Sequence, residues 1–488
     1  MRLLAESQIF QSLSAWYSES RILQQLRRHP AGLFMMSWIF FGCVLCLLPA
    51  EIYRGSIFLM ALYGLGYWLV RRVPAPHQLW CAGLLLSACL VRLVVALTLY
   101  AAAPTSWLAT PMGLFQNGGF WVGDGFQYAF NGFWLAEQWR IGIYPTMEAL
   151  SAVSISMSGS AYDYWNGLLC FLFGYHPLIP ILINALAGAG SGILAFLLAR
   201  RLLPVGGAKA VALLTAFWPS LLLWSTQNLK EPITVFLLLS LLCCFLVPLK
   251  KHRLLYWPLG TVLFGLLNQI NYFIAPLILL SVPVYFTATC LLRYVRRGRW
   301  RPWVVAGLFF LLLLPVVQTQ FIRLGTATIE FYMTHPLIDR QVATNPFLEW
   351  AEYLRRVRMF EARTPLLESM ELTSLWAFLR FVPIGLAAVL TLPVPWAVRS
   401  ALEGIGSLEM ILWYPLLIGA LYGMFLSIRR GPIEKILLCM VLSMAFAMAL
   451  LEGNVGTLFR HRAALWPLLF IFACIGLTNF LRLQVSDK

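Results

Sequence analysis

A single carboxylate, Asp124, stands between Gly123 and Gly125 in the stretch WVGDGFQYAFNGFW, Trp121 to Trp134, and Phe120, Phe126, Tyr128, Phe130 and Phe133 surround it with apolar rings. Such surroundings are expected to raise a carboxylate's pKa and suit it to act as a general base near neutral pH. The competing reading is a turn aspartate that satisfies a backbone amide, its aromatic neighbours forming an interfacial belt. A second group is Asn228, Lys230 and Glu231 in LLLWSTQNLKEPITVF. Either Glu231 and Pro232 open a helix, with the acid favoured by the helix dipole, or Lys230 and Glu231 set one cation and one carboxylate against an anionic group of a substrate. The third is Arg460, His461 and Arg462 in LLEGNVGTLFRHRAALWP. Arginines at a membrane boundary are suited to grip a phosphate or diphosphate in bidentate fashion; the alternatives are an ion pair with Glu452 or snorkelling. Arg92, in VRLVVALTLY, is a charge inside an apolar run, which makes it a candidate for substrate contact unless it snorkels or pairs within the bundle.

No metal or nucleotide chemistry is expected beside these groups. Cys43 and Cys46 have a CxxC spacing but no partner loop, His176, His335 and His461 are scattered, and no phosphate-cradling glycine loop or nucleophile elbow occurs. The ten cysteines sit in or beside apolar runs as small hydrophobes. No cofactor is therefore expected, and an enzyme built on these residues needs an activated donor that already resides in the membrane.

The elements that must position these groups are membrane helices. The chain is 60% hydrophobic and 11% charged over 488 residues, against about 25% charged in a soluble domain. Apolar stretches long enough to span a bilayer run over 31–49, 55–70, 79–103, 176–199, 210–225, 233–249, 254–268, 272–291, 303–320, 410–428, 436–451 and 463–481. A further stretch, 376–398, is interrupted by Pro383, Pro393 and Pro395 and is expected to form a re-entrant or surface element. The fold class that follows is an all-α integral membrane protein, a polytopic bundle of about 11–13 transmembrane helices with one long extracytoplasmic loop, 104–175.

Charge distribution gives the orientation. The formal charge of +16 is concentrated in short loops at Arg71-Arg72, Arg200 to Lys209, Lys250 to Arg253, Arg293 to Arg301 and Arg429 to Lys435, and on the opposite side lie all but Glu6, Glu19, Glu434 and Asp487 of the twenty acidic residues. Basic loops face the cytoplasm, so the excess positive charge reports topology rather than nucleic-acid binding, and the N-terminus is cytoplasmic. The organisation read on this basis is a cytoplasmic interfacial amphipathic segment 1–30, a transmembrane module 31–320 carrying the loop, an external segment 321–409 and C-terminal helices 410–488. Within the external segment, Ile329 to Glu371 interleaves arginines and glutamates as a solvated helix lying on the membrane would. Gly188 and Gly192 have the spacing that lets helices approach closely.

On Gly123-Asp124-Gly125, the HPLIPILINALAGAGSGILAFLLARRL span and AVALLTAFWPSLLLWSTQNLKEPITVF, the chain resembles the GT-C type multi-spanning glycosyltransferases, such as protein mannosyltransferases and lipid A aminoarabinose transferases. The likeness covers roughly 79–290, and the tail from Glu452 to Arg462 looks like the closing segment of membrane proteins from polysaccharide clusters. The resemblance implies a polyprenyl-phosphate-linked sugar donor, a glycan, lipid or protein acceptor, membrane lipids as surroundings, an active site on the outer face of a bacterial inner membrane, and Asp124 as the base of an inverting transfer. Lys230, Arg460 and Arg462 are by location the candidates to neutralise the leaving phosphate. The alternatives are a polymerase or ligase of lipid-linked glycans, a lipid-linked oligosaccharide flippase or other transporter, and a noncatalytic subunit of an export complex.

Overall fold

The computed structural model describes residues 53–102, 123–153, 160–246, 253–271, 273–278, 346–360, 364–367, 370–372, 374–396, 398 and 401–486, with 35, 38, 39, 42 and 281. The amphipathic segment 1–30, the span 303–320, most of the spans 31–49 and 272–291, the loop stretch 104–122 with Phe120 and Trp121, and Glu361, Arg363 and Glu368 lie outside the described residues. Among the described residues about 84% are helical and none lies in a strand.

The chain runs through α1 (Tyr53–Arg72), α2 (Ala75–Ala102), α3 (Gly123–Arg140), α4 (Met147–Val153), α5 (Ala161–Phe173), α6 (Leu178–Ala199), α7 (Val205–Phe217), α8 (Pro219–Ser225), α9 (Glu231–Leu246) and α10 (Arg253–Ile270). It continues through α11 (Pro346–Phe360), α12 (Leu375–Thr391), α13 (Ala401–Ser427), α14 (Pro432–Leu451), α15 (Val455–His461), a 3-10 turn at Arg462–Ala464 and α16 (Trp466–Ser486).

Apolar residues surround α6 on every side, and a helix of that kind must be wrapped by others. It is enclosed by α1, α2, α7, α8 and α9, and its small residues set the spacing. A Cβ on Gly188 would come within 2.7 Å of Ser225 and of Arg92, and one on Gly192 within 3.1 Å of Ala216. The C-terminal half is built on α16, which packs along α13 and reaches α7, with the rings of Trp218, Trp413, Trp466 and Phe470 clustered between them.

Four described helices are long and apolar enough to cross a membrane: α2, α6, the 406–427 part of α13, and α14. Two bent pairs bring the number to six: α7 with α8, turned by 47°, and α15 with α16, turned by 69°. These helices fit a membrane protein. The stretch expected as one span over 210–225 is thus two helices. Pro219 disfavours a helical Trp218, which is extended at φ −60° and ψ 129°. Conversely, Pro383 does not interrupt 376–398 as expected. Helix α12 runs through it and ends at Thr391, before Pro393 and Pro395.

Basic side chains collect at one end of the bundle. Phe196, near the end of α6, meets His77 and Trp80 at the start of α2, and Lys209 lies over Trp80. Arg201 and Arg430 line one pocket. Asn184, toward the other end of α6, meets the turn before α9. The charged groups picked out as chemical lie toward that second end.

Candidate active site at the Asp124, Glu231 and Arg460 junction

Three segments far apart in the chain meet at one guanidinium. Arg460, on α15, places Nη1 2.6 Å from Asp124 Oδ2 and Nε 2.9 Å from Glu231 Oε1. Its side chain is 13% exposed, that of Glu231 5%, and that of Asp124 42%, so the aspartate forms the accessible lip of the site.

Asp124 is not on an irregular loop. It occupies the first turn of α3, where the unpaired backbone N–H groups favour a negative charge. The expected raised pKa is overturned as well. The adjacent Arg460 guanidinium holds the carboxyl below its usual range, against the opposing effect of burial, and Lys230 and His461 add to the lowering. The aromatic residues shield the site without dominating its electrostatics: Tyr128 packs edge-on against Tyr162, and Phe126 stacks on Phe130.

What holds α3 in place is a buried amide network that the charged residues alone do not reveal. Asn228 donates to Gly125 O at 3.2 Å and to Asn166 Oδ1 at 2.9 Å, tying the α8–α9 turn to the start of α3 and to α5. The Tyr162 hydroxyl donates to Asn228 Oδ1 at 3.0 Å and accepts from Asn184 Nδ2 at 3.0 Å. Asn184 also donates to Gln227 O at 2.7 Å and Leu229 O at 2.8 Å, fixing the turn that carries Lys230 and Glu231. The α3–α5 crossing is close at Gly132, where a Cβ would lie 2.6 Å from Asn166 Cβ and 2.8 Å from its backbone carbon.

A second carboxylate, Asp163, belongs to this network and was not singled out in the sequence. It is fully buried, accepts from Asn131 Nδ2 at 2.9 Å, Ser160 N at 2.6 Å and Ser160 Oγ at 2.7 Å, and burial pushes its pKa up in spite of these bonds. Its signal was the Ser160-Ala-Tyr-Asp163 spacing, in which an acid at the third helical position reaches back to the start of the helix.

Helix α15 is pinned from the other side. Asn454 accepts from Gly456 N at 2.8 Å, Val455 N donates to Thr364 O and Leu366 N to Gly453 O. Gly453 is pressed so close to α11 that a Cβ would overlap Arg355 O. Helix α11 is therefore not the solvated surface helix expected for this segment. Arg355 is buried on it, paired with Glu352, donating to Leu367 O at 3.0 Å and stacked over Phe381. Glu352 in turn accepts from Leu372 N, so the fork and its acid clasp the strap between α11 and α12. Arg358 reaches Glu452 at 3.0 Å and Leu451 O at 3.1 Å.

The remaining candidates separate. His461 pairs with Glu452 at 2.6 Å. Burial opposes the charge on Glu452, but His461 and Arg358 prevail and bring its pKa to about 2. Arg462 does not join Arg460. Successive helical residues turn about 100°, so a residue two places on points away, and Arg462 instead donates to Val389 O at 2.9 Å and Leu392 O at 2.8 Å at the end of α12. It is fully buried between Phe459 and Trp466, 4.7 Å from the latter ring. Arg92 is fully buried too, donating to Ser225 Oγ at 2.8 Å and to Ala216 O at 2.6 Å, a carbonyl next to the α7–α8 break. Its Nη2 has no partner among the described residues, and Arg92 lines a cavity of about 10 Å³ shared with Ser191, Thr215 and Glu231. That space suits one water between the Arg92 and Glu231 side chains.

Among the described residues, no three His, Cys, Asp or Glu side chains converge as a metal site requires. The arrangement can instead neutralise an added anion on Arg460 and Lys230 while leaving an exposed carboxylate beside it. In comparisons with known proteins, no protein-family model and no curated protein matches the chain.

Proposed function

We propose that the protein is an integral membrane glycosyltransferase that moves a sugar from a polyprenyl-phosphate donor to an envelope glycan, lipid or protein acceptor. The observation that carries this reading is the meeting of Asp124, Glu231 and Arg460, with one carboxylate exposed and the guanidinium held between two acids. In this reading the donor phosphate draws Arg460 and Lys230 toward itself, and Asp124 loses the partner that lowers its basicity. Asp124 then takes the proton of the acceptor hydroxyl. The hydroxyl oxygen forms a bond to the anomeric carbon from the face opposite the phosphate, the carbon–oxygen bond to phosphate breaks with its electron pair, and the configuration inverts. What supports the donor class, and a site on the face away from the cytoplasm, is the resemblance to GT-C transferases.

The test is Asp124→Asn in the living host, with membrane levels of the protein shown to be unchanged. Loss of the envelope glycan together with accumulation of the polyprenyl-phosphate sugar is the expected outcome; normal glycan would leave Asp124 a structural partner of Arg460 and end the base assignment.

One observation favours a second reading, a polymerase or ligase of lipid-linked glycans, namely that Asp124 sits below the usual carboxylate range while Arg460 holds it. There the arginine on a diphosphate does the main work. Arg460→Gln would then abolish glycan assembly while Asp124→Asn retained it.

A further inference from the structure

At the basic end of the bundle, far from the Asp124 junction, the turns after α6 and after α13 each carry two consecutive arginines, and in each pair the two side chains do different things. Arg200 donates to Leu203 O at 3.1 Å and closes its own turn. Arg429 lies over the Phe425 ring. The guanidiniums of their neighbours, Arg201 and Arg430, have no hydrogen-bond or ion-pair partner among the described residues, and both residues line one pocket of about 400 Å³. The pocket is completed by Leu202, Leu203, Pro204 and by Thr478 and Asn479 of α16, and no carboxylate among the described residues lines it. Asn479 uses its Nδ2 on Ile475 O at 2.7 Å, which leaves the amide oxygen as an acceptor.

Two guanidiniums and a hydroxyl around a space of this size form a receptor for a phosphate ester, and the Asn479 amide oxygen is left to accept from a hydroxyl of its headgroup. The surroundings decide which kind. Beside Thr478 and Asn479, the α16 side chains Leu477, Phe480 and Leu481 are exposed and apolar, so an occupant with hydrocarbon chains meets a surface that a free phosphate does not need. Basic pockets between spans at the cytoplasmic boundary are where anionic headgroups are held. We infer that Arg201 and Arg430 bind the headgroup of an anionic phospholipid, its phosphodiester between the two guanidiniums and its acyl chains along Leu477, Phe480 and Leu481.

The experiment uses the full chain purified in a nonionic detergent, with dioctanoyl phosphatidylglycerol, dioctanoyl phosphatidylcholine and inorganic phosphate titrated separately and bound lipid counted by native mass spectrometry. Phosphatidylglycerol adducts are expected to exceed phosphatidylcholine adducts. Each of Arg201→Gln and Arg430→Gln should weaken phosphatidylglycerol binding roughly fivefold and the pair about thirtyfold. Thr478→Phe, which fills the pocket and keeps both charges, should weaken it too, whereas Arg72→Gln, basic but outside the pocket, should not. Equal binding of the two lipids, or undiminished binding by the double variant, overturns the proposal. Displacement of phosphatidylglycerol by equimolar inorganic phosphate also overturns it, by making the pocket a free-phosphate site.

Discussion

Arg460 closes a 2.6 Å ion pair on Asp124 while the aspartate side chain stays 42% exposed. Arg460 is itself pressed against Glu231, which is nearly buried and has no hydrogen-bond partner among the described residues. One cation therefore satisfies a structural acid and restrains an accessible one. That division of labour gives different expectations for the two carboxylates.

Removing Arg460 strands Glu231. Arg460→Ala should destabilise the protein by about 3 kcal/mol, the cost of an uncompensated buried charge. Glu231→Gln in the same chain should recover most of it, because the neutral amide carries no charge to bury. Thermal unfolding in detergent reads both, and equal melting of the single and double variants would contradict the assignment.

Asp124 is a depressed carboxylate, and the sign follows from that. Its pairing contributes stability above the unfolded-state pKa of about 3.9 and loses it as pH falls through the lower folded value. The wild type should exceed Asp124→Asn by no more than about 1 kcal/mol at pH 6, given its exposure. The difference should vanish in strong acid. A gap that widened on acidification would contradict the pairing.

Glu452 should show the same direction on a larger scale. Buried between His461 and Arg358, with its pKa drawn from 4.5 to about 2, it contributes about 3 kcal/mol at neutral pH. That contribution is complete above about pH 4.5 and is lost toward pH 2. Glu452→Gln should flatten this limb of the stability curve while lowering stability at pH 7.

The crossing of α3 and α5 leaves no room at Gly132. Gly132→Ala should destabilise by about 1–3 kcal/mol, and because Asn166 is the atom group in the way, it should also loosen the amide network that seats Asp124. Gly83→Ala, with nothing within 4 Å of the added methyl, is the control and should be neutral or slightly stabilising. Faster hydrogen exchange over residues 123–140 in the first variant alone would confirm the link.

Hydropathy and the placement of charge are local properties, and these the chain states openly. The apolar runs that become α2, α6, α13 and α14 were legible because a helix must bury or immerse every face it makes apolar. Asp124 stood out for its glycine neighbours and aromatic surroundings, and Lys230, Glu231 and Arg460 as charges at the edge of such runs. Partners are a different matter. That Arg460 joins two acids while Arg462 caps α12 depends on the direction each side chain takes from α15, and that direction matters only once α3, α9 and α12 are in place around it. Asp124's aromatic neighbours promised a raised pKa, yet one guanidinium brought in from the far end of the chain reverses it, because a charge at 2.6 Å outweighs the cost of partial burial. Asn166, Asn184 and Asn228, unremarkable one at a time, become a single buried network because only the assembled bundle removes the water that would otherwise satisfy them.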